Sequence, residues 1–189
     1  LLLVSVFLWF LVDYLYVMGR TYTAPLGFDI RHTYSIVISS LSERSPDYIP
    51  KEKRERPDGV HLLTALDRIR TYPGVESACL TDGGMPYYMG SRNLVWRIDT
   101  LQVPCRYAFV TPEFFDVFCI YDKDGKTASL KRAIEDNNSI VISADVETMN
   151  PGLSLLGQKA YRGNVTDEIE ETIRGISVPI RRHEYTKAE

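Results

Sequence analysis

LLLVSVFLWFLVDYLYVM, residues 1–18, decides how the rest of the chain is read. The stretch holds no Lys or Arg, and its only clearly polar members are Ser5 and Asp13. Eighteen helical residues rise about 27 Å, close to the thickness of a bilayer's hydrocarbon core. A core helix of a soluble domain is striped with polar positions, whereas this segment is apolar on every side. The reading is a membrane-spanning helix. The segment has no initiator Met and no basic flank, and Thr23-Ala24-Pro25 is a poor cleavage site, so a signal peptide is disfavoured. A carboxylate at mid-bilayer costs on the order of 3 kcal/mol. Asp13 therefore belongs near an interface or opposite a partner helix. Trp9, Tyr14 and Tyr16 suit an aromatic belt at the membrane–water boundary.

The remainder is different in kind. Residues 20–189 carry all 22 basic residues and 24 of the 25 acidic ones, a difference of −2. Such a mixed, nearly neutral surface gives no electrostatic footprint for nucleic acid. About 170 residues suffice to bury a core. The division is residues 1–24 as membrane helix and exit turn, and 25–189 as a folded body. Three widely spaced cysteines, Cys79, Cys105 and Cys119, form no C-x-x-C pair and no metal-ligand pattern; they read as small buried hydrophobes.

Along the body, a turn at Pro25 and Gly27 leads to residues 32–40, HTYSIVISS, whose β-branched content predicts a strand. Residues 42–57 hold nine charges of mixed sign and read as a solvated connection. Asp58 is the expected N-cap of a helix with Leu62, Leu63, Leu66 and Ile69 on one face, stopped at Pro73-Gly74. A strand is expected over 75–81, giving a β-α-β lobe. The loop over 82–92 contains Met85, Tyr87, Tyr88 and Met89, an adaptable contact surface or a loop folded back on the sheet. Alternation predicts strands over 93–99 and 103–110.

Thr111-Pro112-Glu113 reads as a helix start with Thr111 as N-cap, and Phe114, Phe115, Val117 and Phe118 read as core. DKDGKT, residues 122–127, lacks both the second glycine of a phosphate loop and the acids of a calcium loop, leaving a turn. Short helices are expected over 129–136 and 144–149, and strands over 139–143 and near Ala160. A last strand, over 172–182, is expected at a sheet edge because of Pro179. His32, His61 and His183 are scattered, and no nucleophile elbow or zinc motif is present. The fold class is α+β: an N-terminal transmembrane helix, then a mixed α/β extracytoplasmic domain of βαβ-type lobes. No catalytic, metal-ligating or cofactor-binding residues are assigned.

Several blocks, in order, resemble the MacB-type periplasmic core domain of the MacB and FtsX-like permease family. They are Gly27-Phe28-Asp29 entering a strand, Pro73-Gly74-Val75-Glu76, and residues 110–118, VTPEFFDVF. Leu155-Leu156-Gly157-Gln158-Lys159 and Arg174-Gly175-Ile176 complete the series. The resemblance implies a permease subunit of an ABC transporter in the inner membrane, with residues 20–189 on the extracytoplasmic side. It implies as partners a separate ABC ATPase subunit, a second permease copy and a periplasmic partner protein. It also implies no enzymatic activity in this chain. The expected mechanism is a lever, a continuous helix from Leu1 running into the strand at His32. The alternative is a ligand-sensing extracytoplasmic domain of a membrane receptor with the 82–92 loop near a pocket; a membrane-anchored enzyme is the third possibility.

Overall fold

A computed structural model of the chain describes residues 2–39, 41–50, 53, 57–88, 92–163 and 168–181. Helix α1 (Leu2–Thr23) is the longest element. No residue of its 21-residue apolar span, Leu3–Thr23, is buried by the rest of the chain. Interrupted only by a few polar residues such as Ser5, Asp13 and Arg20, this span is long and apolar enough to cross a membrane. The helix ends where Thr23 Oγ1 donates to the Gly19 carbonyl at 2.9 Å and Pro25 removes the next amide donor.

Among the described residues five strands form one mixed sheet in the order β2-β1-β4-β5-β3. Strands β1 (Arg92–Ile98) and β2 (Leu101–Tyr107) make a hairpin with Ile98 opposite Leu101. Asp99 takes the positive φ of 52° that such a short connection demands. Strand β4 (Lys159–Arg162) bridges β1 and β5 (Ile169–Ser177), antiparallel to both. Strand β3 (Ser139–Ser143) lies parallel to β5. Short helices α3 (Phe114–Val117), α4 (Ala128–Ala133) and α5 (Asp145–Met149) fill the connections.

One extra residue in β5 lets the sheet serve two cores. Ile140 pairs with Ile173, but Val141 pairs with Gly175, leaving Arg174 as a bulge. The pleat changes phase there. Ile173 and Ile176 therefore both face the core built around Trp96, Ile98, Val103 and Leu155. Gly175 faces the other side, where α4 lies against it. That second core is Phe114, Phe115, Phe118, Ile120 and Leu130, so the aromatic run is core as expected.

Other expectations need correcting. Among the described residues no strand forms over 32–39; β-branched composition makes a strand only where a neighbour supplies the ladder, and none does. Residues 75–80 are likewise outside any strand, with one bridge between Thr81 and Val110, so the leading β-α-β lobe is not formed. The lever from Leu1 into a strand at His32 is absent: α1 stops at Thr23. Helix α2 (Asp58–Arg70) begins at Asp58 instead of being capped by it. It buries Leu66 and leaves Leu62 and Leu63 exposed. Thr111 does not cap α3 with its hydroxyl, which instead accepts the Leu80 amide at 3.1 Å. Strand β5 is interior, not an edge, because Pro179 lies beyond its last residue.

Candidate functional site

The segment that leaves α1 is fastened to the far end of the described chain. Arg181, 5% exposed, donates from Nη1 to the Ala24 carbonyl at 2.9 Å, and its backbone amide donates to the Leu26 carbonyl at 2.9 Å. Ala24 follows the last turn of α1, where unpaired carbonyls carry the negative end of the helix dipole, so a guanidinium there is favourable. Gly27, at φ 81°, lies so close under Pro179 that any Cβ would overlap the Pro179 carbonyl oxygen. Next, the Asp29 amide donates to the Phe118 carbonyl at 2.8 Å, and Phe28 packs into the aromatic core. The Arg31 guanidinium pairs with Asp29 at 2.5 Å, and its hydrogen bonds hold the Asp29 carboxyl below the usual range. Residues 24–29 thus form a seam between the apolar helix and the sheet.

Beside the seam is a cleft of about 420 Å³. Its walls include Met85, Pro86 and Tyr88 from the 82–92 loop, residues 105–110 at and beyond the end of β2, and residues 139–143 of β3. Tyr87 adopts φ 60° and sets its ring edge-on to Phe28 at 5.8 Å, linking the loop to the seam. Met89 lies outside the described residues. Of the loop's other expected contact residues, Met85 packs partly buried against the aromatic core, while Tyr87 and Tyr88 are exposed. Trp9, Tyr14 and Tyr16 all lie on the bare surface of α1.

The cleft wall carries an ion pair. Arg162 binds Glu171 at 3.1 Å with its guanidinium 5.6 Å from the Phe109 ring. Asp145, 7% exposed, accepts from Ser143 Oγ at 2.9 Å through Oδ2, while Oδ1 has no partner. Burial pushes its carboxyl above the usual value. Burial also pushes the Cys79 and Cys105 thiols up to about 11, so both are protonated near neutral pH and poorly nucleophilic. Deeper behind the seam, Glu113 pairs with Arg70 at 2.6 Å, tying α3 to α2. The Asp122 carboxylate is consumed by the amides of Asp124 and Lys126, at 2.9 and 2.8 Å, and by the Ser129 hydroxyl; the 122–127 segment is a self-satisfied turn.

Sequence reasoning misses the pairing of Arg181 with Ala24, and it reads Pro179 only as a strand-edge marker. Gly27-Phe28-Asp29 stands out in sequence as a block, and its three residues are the centre of the seam. The signal available in sequence is the glycine.

No protein-family model matches the chain, and no curated protein matches it. Among solved structures it is similar to a crystal structure from Porphyromonas gingivalis described as a domain of a candidate permease protein. The identity is 21%, the TM-score 0.48, and the match covers 66% of this chain. This chain spans 48% of that one, about half its length.

Proposed function

We propose that this chain is the first membrane helix and the adjoining extracytoplasmic domain of an ABC transporter permease subunit of the MacB and FtsX-like type. Its role is to carry movement of the membrane helix into the body outside. The observation that supports this most directly is the seam at Arg181, Ala24, Gly27 and Pro179. A helix bare to lipid ends in a segment gripped by backbone and side-chain hydrogen bonds from the sheet's far end, so α1 cannot shift without dragging or breaking that grip. Coupling of this kind needs an element both ends can bias. Replacing the expected helix-to-strand lever, the coupler is a stapled irregular segment.

In this reading α1 sits in the inner membrane with Trp9, Tyr14 and Tyr16 as interfacial anchors, and ATP is hydrolysed by a separate subunit. A second permease copy and a periplasmic partner complete the assembly. The test is a flexible Gly/Ser stretch inserted between Thr23 and Pro25 of the full transporter. Transport and transport-stimulated ATPase activity should fall together while basal ATPase activity persists. Unchanged transport with the insertion in place refutes the coupling role.

One observation favours a second reading. The cleft bounded by Met85, Pro86 and Tyr88 lies beside the seam, as a ligand-sensing domain of a membrane receptor requires. Ligand-dependent protection of residues 84–88 from hydrogen exchange, in the absence of any ATPase subunit, distinguishes it.

A further inference from the structure

We propose that the cleft receives a small uncharged aromatic molecule, and that Tyr87 reports its arrival to the segment leaving α1. The proposal rests on the ligand-sensing reading and adds to it the class of ligand and the route of the signal. A cavity of about 420 Å³ lies in the range that small ligands occupy. Met85, Pro86, Trp96, Tyr107 and Phe109 all line it. Tyr107 and Phe109 stand edge to face with ring centres 5.7 Å apart, an arrangement that a third ring extends favourably. The Arg162 guanidinium on the wall is already held by Glu171 and lies 5.6 Å from the Phe109 ring. A charged ligand would give up its water to these apolar side chains without gaining that guanidinium as a partner. A neutral ring loses little water and gains the contacts.

The loop on one side of the cleft has two working faces. It is rooted on the cleft wall, where the Asp82 amide donates to the Phe109 carbonyl at 2.9 Å. Its tip is a turn closed by the Tyr88 amide, which donates to the Met85 carbonyl at 3.2 Å. Met85, Pro86 and Tyr88 line the cleft. Tyr87, between them, instead sets its ring edge-on to Phe28 at 5.8 Å. Its φ of 60° is a left-handed conformation that this position of a turn ordinarily reserves for glycine. A strained residue that persists is held by its surroundings, and here the strain aims the ring at the seam. Phe28 sits between Gly27, which packs under Pro179, and Asp29, whose amide donates to the Phe118 carbonyl. A ligand pressing on Met85 and Pro86 therefore acts on one side of a turn whose other side touches the exit segment. Coupling needs one element that two sites both bias, and this turn meets that condition.

The test uses the full-length protein in lipid vesicles, with every tryptophan except Trp96 replaced by phenylalanine. The probe is 4-bromobenzyl alcohol, whose bromine quenches an indole on contact. It should quench Trp96 along a saturable curve, and the anion 4-bromobenzoate should need a concentration about tenfold higher. With the probe bound, the amides of residues 26–29 should exchange about fivefold more slowly. Tyr87→Gly should keep the quenching and lose the slowing, while Tyr87→Phe, which retains the ring, should keep both. Absence of saturable quenching, or equal binding of the anion, overturns the proposal at its ligand. Quenching without slowing at 26–29, slowing that survives Tyr87→Gly, or slowing lost in Tyr87→Phe overturns it at the relay. Those last three results leave ligand sensing by the cleft standing, so the proposal and the reading beneath it fail separately.

Discussion

The guanidinium of Arg181 caps the carbonyl of Ala24 across 157 positions of sequence. The exit of the apolar helix α1 is thereby held by a side chain from the other end of the described fold. Locally the helix end is closed by the Thr23 hydroxyl on the Gly19 carbonyl and the Ala24 amide on the Arg20 carbonyl, and Pro25 has no further amide to donate. These long-range hydrogen bonds tie the segment leaving α1 to the segment beyond β5.

Removing that cap should loosen both parts. Arg181→Ala leaves the Ala24 carbonyl without its buried donor and should cost about 1–3 kcal/mol. Denaturant unfolding of the detergent-solubilised protein measures it. Hydrogen exchange should rise at residues 24–29 and not at β1 or β2.

Gly27→Ala should be worse than an ordinary loop substitution. The new Cβ collides with the Pro179 backbone and occupies a left-handed conformation as well. A cost of about 1–3 kcal/mol is expected from strain alone. Limited proteolysis should then cut between residues 20 and 33, where the parent protein resists.

Gly175→Ala tests the bulged strand. Its Cβ would stand 2.9 Å from Val141 Cγ2 and 3.0 Å from Ala133 Cβ. Overpacking of this degree costs about 1–3 kcal/mol. Adding Val141→Ala removes the nearest obstacle, so the double variant should regain part of the loss in melting temperature. Additive losses would contradict the packing described.

Two carboxylates should bend the pH–stability curve in opposite directions. Burial raises the Asp145 pKa in the fold, so the native state holds a proton that the unfolded chain gives up near 3.8. Stability contributed by Asp145 falls as pH rises from about that value to its raised folded value. Asp145→Asn should flatten this decline and stabilise the protein at neutral pH. For Asp116, burial acts to raise the pKa, but the hydrogen bonds from Lys131 and Thr127 and the Lys131 charge outweigh it and lower it. Its contribution is present above the unfolded value and is lost as pH falls through the folded one. Asp116→Asn should remove that acid limb, read from melting temperatures across the acidic range.

Local pattern carries much of the fold. Residues 139–143 are a strand with the expected bounds, and Trp96 and Ile98 bury the face that alternation assigns them. Short-range signals fail where the deciding partner is distant. Residues 32–39, HTYSIVIS, have the composition of a strand but no neighbouring ladder among the described residues. Pro179 speaks of its own missing donor, not of where β5 lies among its neighbours. Thr111 has a capping residue's chemistry, yet the Leu80 amide, 31 positions away, claims its oxygen. The seam is the least legible part, since nothing near Ala24 advertises Arg181. Gly27-Phe28-Asp29 signals that the backbone there is constrained, without showing by what.

The additional residue at Arg174 also restricts how this strand can change over evolutionary time. Because it reverses the phase of the ribbon midway, deleting a single codon there would exchange the residues that face the two cores on one half of β5 while leaving the other half untouched. Drift in length is thus effectively closed to β5.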